Sequence, residues 1–165
     1  MSTETATTPS IALAFTASAA LSDSLQRVLT DLIALELVGK QAHWNIVGSN
    51  FRDLHLNLDE VVDIAREGGD EVAERMRAVN ATPDGRPATV AATTSLPTAP
   101  EGEILTSEGV AYIVSAIEAV VATLRGVDEQ VDEEDPTSSG IIEDLIGKLE
   151  QQAWFISAEV RKPVR

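Results

Sequence analysis

The sequence predicts an all-α protein, a bundle of four long helices with a short helix in the long crossover between the second and third. Three observations predict it. Apolar residues recur at three- and four-residue intervals over four separate stretches, which is the period of a helix buried on one face. No stretch alternates with the period of two that marks a half-buried strand, and no internal repeat occurs. A segment with four prolines, residues 80–105, divides the second stretch from the third.

Residues 1–15 open with the polar, Thr-rich run MSTETATTPS and are expected to form a flexible tail. The first helix is predicted from about Ser18 to His43, with Leu21, Leu25, Val28, Leu29, Leu32, Ile33 and Leu35 on its buried stripe. A turn containing Gly48, Ser49 and Asn50 follows, and Asn50 is placed to cap the second helix, which runs to about Val79. Gly68 and Gly69 interrupt that helix, at about 1 kcal/mol each relative to Ala, and indicate a kink or a close approach by a neighbour. Glu71 and Arg75, four residues apart, read as a solvated ion pair. The crossover is expected to carry one short helix near Ala88–Ser95, since connections of this length in a compact domain are usually functional or interfacial. Thr106 opens the third long helix, to about Val131, and Asp135-Pro136 supplies a cap and a first-turn proline for the fourth. The bundle is thus assigned to residues 16–160, and 161–165 to a short basic end. Trp44 and Trp154 read first as core residues.

At 165 residues the chain fits one domain with a sizeable core. No apolar run reaches the roughly 18 residues of a membrane span. The small apolar stretch Ile11–Leu21 has no Lys or Arg before it, so a secretory leader is not expected and cytoplasm is the default. Cysteine is absent, which excludes disulfides and thiolate metal sites. A net charge of −15 repels nucleic acid and anionic membrane and suits a protein that attracts cations.

The chemistry concentrates between residues 43 and 74. Both histidines of the protein, His43 and His55, lie there twelve residues apart, among Asp53, Asp59, Glu60, Asp63, Glu67, Asp70, Glu71 and Glu74. Imidazole nitrogens and carboxylate oxygens are the ligands that hard and borderline divalent metals take. Asp59 stands four residues after His55 and Glu74 four after Asp70, so each pair shares a helix face. His55 and Asp70, fifteen residues apart, are separated by roughly 22 Å along one axis, too far for one ion with bonds of about 2 Å. Either there are two half-sites, or two copies of the helix pair antiparallel and share a site across a two-fold axis, the arrangement the spacing favours.

The run KQAHWNIVGSNFRDLH followed by DEVAER resembles the signature of the Dps family, the mini-ferritins, and the helical layout extends the likeness over nearly the whole chain. The resemblance implies a ferritin-like bundle assembled as a hollow homo-dodecamer. It implies ferroxidase centres between two-fold-related subunits, with His43, His55 and Asp59 from one chain and Asp70 and Glu74 from its neighbour. Each centre would take two iron ions, oxidised by hydrogen peroxide in preference to dioxygen, and the Fe(III) would be stored as mineral, limiting oxidative stress. It further implies mineral nucleation at an inner acidic patch of Asp59, Glu60 and Asp63, a tryptophan beside the iron at Trp44, and a three-fold pore lined by Asp135 and Asp144. For Asp135 a helix cap is the simpler reading. For Asp59 both roles, ligand and patch, stay open.

Two other function classes compete. DNA binding in the family generally depends on lysine-rich tails. Here the first ten residues hold no Lys or Arg and the C-terminus offers only Arg161, Lys162 and Arg165, so binding should be weak or absent. A metal-dependent acyl or amide hydrolase would use the same His/carboxylate site to activate water, but no residue specifically points to one. No Ser-His-Asp or Cys-His arrangement is available.

Overall fold

A computed structural model describes residues 14–163. The elements follow in the order α1 (Ala19–Asn45), β1 (Ile46–Val47), α2 (Phe51–Ala78), α3 (Pro87–Thr93), β2 (Ile104–Leu105), α4 (Thr106–Glu134) and α5 (Pro136–Ala158). The four long helices pack in a ring: α1 against α2 and α4, and α5 against α2 and α4. Their predicted stripes meet in one core that includes Leu25, Leu32, Leu58, Val61, Ile117, Leu124 and Leu149.

The crossover decides the topology. β1 and β2 pair in parallel, Ile46 with Ile104 and Val47 with Leu105. The start of α4 is thereby fixed beside the end of α1, so α2 and α4 begin at the same end of the bundle and run the same way. This small sheet was not legible as alternation, because two residues per strand carry no period. Asp31 of α1, 2% exposed, ties the crossover down. It accepts from Thr94 Oγ1 (2.9 Å), Ser95 N (2.8 Å), Ser95 Oγ (2.6 Å) and, on α4, Thr123 Oγ1 (2.6 Å). A buried carboxylate persists only with such compensation.

Several local expectations are corrected. Asn50 does not cap α2 with its side chain; it contributes a left-handed backbone, φ 57°, which Asn tolerates better than most residues. Gly68 and Gly69 do not break α2, which is continuous. Gly68 marks a close approach, since a Cβ there would lie 2.5 Å from Leu145 Cδ2. Arg75 does not pair with Glu71. It grips Asp135 from Nη2 at 2.7 and 2.9 Å and from Nε at 3.2 Å. Trp44 and Trp154 are not core residues; they are 70% and 60% exposed. One expectation about membranes also needs refining. α4 is long and apolar enough by composition alone to cross a bilayer. Its apolar side, Val110, Ile113, Ile117, Val120 and Leu124, is instead buried in the bundle.

At the start of α1, Ser18 caps the helix through its hydroxyl, which accepts from Leu21 N at 3.1 Å. The carboxylate of Glu134 accepts from Ser18 N (2.8 Å) and Oγ (2.6 Å), placing negative charge at a helix N-terminus. The expected tail lies largely outside the described residues; at its end, Phe15 O accepts from Asn80 Nδ2 at 2.7 Å.

Candidate metal centre

His43 stands near the end of α1 and His55 one turn into α2. The connection that folds them face to face turns at Gly48, φ 117°, a backbone that side chains rarely adopt. The two imidazoles stack with centroids 3.6 Å apart and planes 26° from parallel, and Phe51 packs against His55 at 5.1 Å. Asp59, one turn beyond His55, completes a cluster: one ligand atom from each of His43, His55 and Asp59 lies within 4.8 Å of the others.

The hydrogen bonding around these rings suits a cation. His55 Nδ1 stands 3.1 Å from His43 O. A carbonyl only accepts, so Nδ1 carries the hydrogen and the lone pair of Nε2 is left for a ligand role. A backbone carbonyl holding the second ring nitrogen is the usual support of a metal-binding histidine. His43 is 9% exposed, and neither of its nitrogens has a hydrogen-bond partner. Its Nε2 is 3.0 Å from Asp59 Oδ1, a hydrogen-bond distance without hydrogen-bond direction. Adjacent ligands of an octahedral ion with bonds of about 2.1 Å stand about 3.0 Å apart, so the pair has the separation an ion between them requires. Lys40, one turn before His43, also reaches Asp59 Oδ1, at 2.5 Å. The Lys40 ammonium, against the opposing effect of burial and with His43 contributing less, holds the Asp59 carboxyl below its ordinary value.

The other predicted residues are placed as follows. Asp70 and Glu74 are exposed on the same face of α2, remote from the histidines along the helix. Asp70 borders a cleft that Leu29, Ile33 and Ala65 line together with Glu36, Arg66 and Glu67. Trp44 projects into solvent beside His43. Of the proposed inner patch, Asp59 turns to the histidines, Glu60 accepts from Gln152 Nε2 at 3.1 Å, and Asp63 lies 3.8 Å from Arg66 Nη1. Asp144 is exposed and paired with Lys148 Nζ at 2.6 Å. Asp135 is not a free surface carboxylate: it is 7% exposed, and Arg75 and Ser138 take its oxygens. Sequence reasoning missed Lys40, although its position three residues before His43 on one helix was signal enough.

The family model described as ferritin-like domain matches residues 22–164. The chain is 32% identical over 135 residues to DNA protection during starvation protein 2 of Deinococcus radiodurans, covering 82% of this chain and 56% of that protein. Among solved structures it is similar to Dps of Microbacterium arborescens in the high iron form, with 33% identity, a TM-score of 0.80, and coverage of 90% of this chain and 100% of that one. This chain belongs to the Dps family of ferritin-like proteins. Dps-family similarity also extends to a protein of another name, the fine tangled pili major subunit of Haemophilus ducreyi, at 32% identity over 140 residues, 85% of this chain and 74% of that one. The family assignment and the five-helix fold agree with the all-α, ferritin-like expectation. The chain spans little more than half the length of the Deinococcus relative.

Proposed function

We propose that this chain is a ferroxidase that oxidises Fe(II) at di-iron centres shared between two-fold-related copies and stores the Fe(III) as mineral in a hollow dodecamer. The observation that carries the reading is the His43–His55–Asp59 cluster, with a buried imidazole whose Nδ1 has no partner and whose Nε2 faces only Asp59 Oδ1, at 3.0 Å and without hydrogen-bond direction. Three ligand atoms leave an ion of higher coordination incomplete. Asp70 and Glu74 are the carboxylates the family pattern adds, and one helix holds them roughly 22 Å from His55. A second copy lying antiparallel would bring its Asp70 and Glu74 to this end, and vice versa. The exposed Trp44 beside His43 supports that pairing, as an apolar surface at the end the partner would cover.

Iron is the substrate. Two Fe(II) ions held side by side deliver two electrons to one hydrogen peroxide, which takes up two protons and leaves as two waters, so no hydroxyl radical is released. Carboxylate-rich ligation suits Fe(III), a hard ion, and few nitrogen ligands retain it. Exposed carboxylates on α2, Glu60 and Asp63 with Asp59, are proposed to receive it at the mineral surface. Asp144 is the residue we retain for a three-fold entrance. Protection of DNA would come from removing iron and peroxide rather than from contact, given a charge of −15.

Stopped-flow oxidation of Fe(II) by peroxide and by dioxygen tests the reading. Asp70→Ala/Glu74→Ala should abolish the fast peroxide-driven phase, while unchanged kinetics in that variant would remove the shared centre.

A further inference from the structure

The cluster contains a cation of its own. Lys40 Nζ contacts the same Asp59 oxygen that faces His43 Nε2, at 2.5 and 3.0 Å. Among the described residues Asp59 is the single carboxylate within ion-pair reach of Lys40. The lysine side chain is 28% exposed, so a route into solvent is open to it, whereas His43, at 10%, is fixed. A dication bonded to Oδ1 at about 2.1 Å would stand within a few ångströms of this ammonium, and like charges that close repel strongly. The ammonium and the ion therefore compete for the oxygen.

We propose that Lys40 is a tethered competitor for Asp59, so that the half-site accepts a divalent ion only as the lysine swings out, and gives it up as the lysine returns. The inference rests on the metal reading above and deepens it. A histidine-carboxylate cluster without such a competitor would hold a resident ion; with it, occupancy is brief, as a substrate site for metal requires. Lysine suits the role because its charge is a compact point on a flexible stem.

The test is binding of Co(II) alone to the full, assembled protein, read from its visible absorption, with Zn(II) displacing it. Lys40→Met should bind Co(II) at least about tenfold tighter than the unaltered protein. Lys40→Arg, which keeps the charge, should stay within about threefold of it. Arg125→Met, which removes equal charge from an exposed site on α4, should change nothing. Equal or weaker binding by Lys40→Met, while Asp59→Asn has lost Co(II), would overturn the competitor and leave the metal centre standing. Tightening by Arg125→Met as large as that by Lys40→Met would also overturn it, by showing a general field effect. If His43→Ala and Asp59→Asn bind Co(II) as the unaltered protein does, the metal reading fails with it.

Discussion

Replacing Asp135 with Ala removes both oxygens that Arg75 grips and the acceptor of Ser138 Oγ, at the joint between α4 and α5. The Asp135 side chain is 9% exposed and that of Arg75 23%, so the pair is largely desolvated. Breaking a buried pair by deleting one partner costs about 3–5 kcal/mol. Arg75 keeps some access to water, which places the cost near the lower end, about 3 kcal/mol. For a domain of this size about 2–4 °C of melting temperature is lost per kcal/mol, giving a fall of about 6–12 °C. Thermal melts at fixed protein concentration measure it, with Arg75→Met and the double variant completing a cycle that should return a favourable coupling. Burial pushes the Asp135 carboxyl up, but Ser138, Arg75 and the Thr137 N–H together outweigh it and hold the group below its ordinary value. A depressed folded value means the stabilisation is present above the unfolded pKa of about 3.9 and is lost as pH falls through the folded one. The penalty of Asp135→Ala should therefore be full at neutral pH and shrink in acid. A melt unchanged within about 2 °C, combined with selectively slowed iron uptake, would refute the structural role and return Asp135 to the pore.

Other perturbations follow from the same geometry. Asp31→Ala strands four donors from the crossover and α4 and should cost about 3 kcal/mol or more, seen as a lower urea midpoint; a loss under about 1 kcal/mol would show that the crossover is not anchored there. Tyr112, the one tyrosine of the chain, donates to Pro97 O at 3.2 Å, and burial pushes its hydroxyl up to about 12. Its neutral form stabilises the fold fully below the unfolded pKa of about 10, and that contribution is lost as pH rises through about 12, so phenolate absorbance should lag free tyrosine. Gly39→Val should destabilise by about 2 kcal/mol or more in the same urea assay, because a Cβ there meets Val62 Cγ2 at 2.8 Å and Val62 is stiff.

What the sequence disclosed was what periodicity and spacing encode. The helical stripes of Leu25, Leu32, Leu58 and Ile117 are visible as intervals of three and four, and all are buried. His43 and His55 were legible as a pair because only two histidines exist and a tight turn joins their helices. Contacts between distant positions were not legible. The Arg75–Asp135 grip spans sixty residues, and nothing local distinguishes Arg75 from a solvated partner of Glu71. Nothing local marks Asp31 either, since its four donors arrive from the crossover and α4. Trp44 and Trp154 misled because aromatic residues are more often inside, whereas these two are 70% and 60% exposed.

The shared centre is tested most directly by anomalous diffraction from crystals of the protein soaked in Co(II) or, without oxygen, in Fe(II). The expected result is metal bonded to His43, His55 and Asp59 of one copy and to Asp70 and Glu74 of another, with Lys40 displaced from the carboxylate. Metal ligated wholly within a single copy, or absent from both imidazoles, would contradict it.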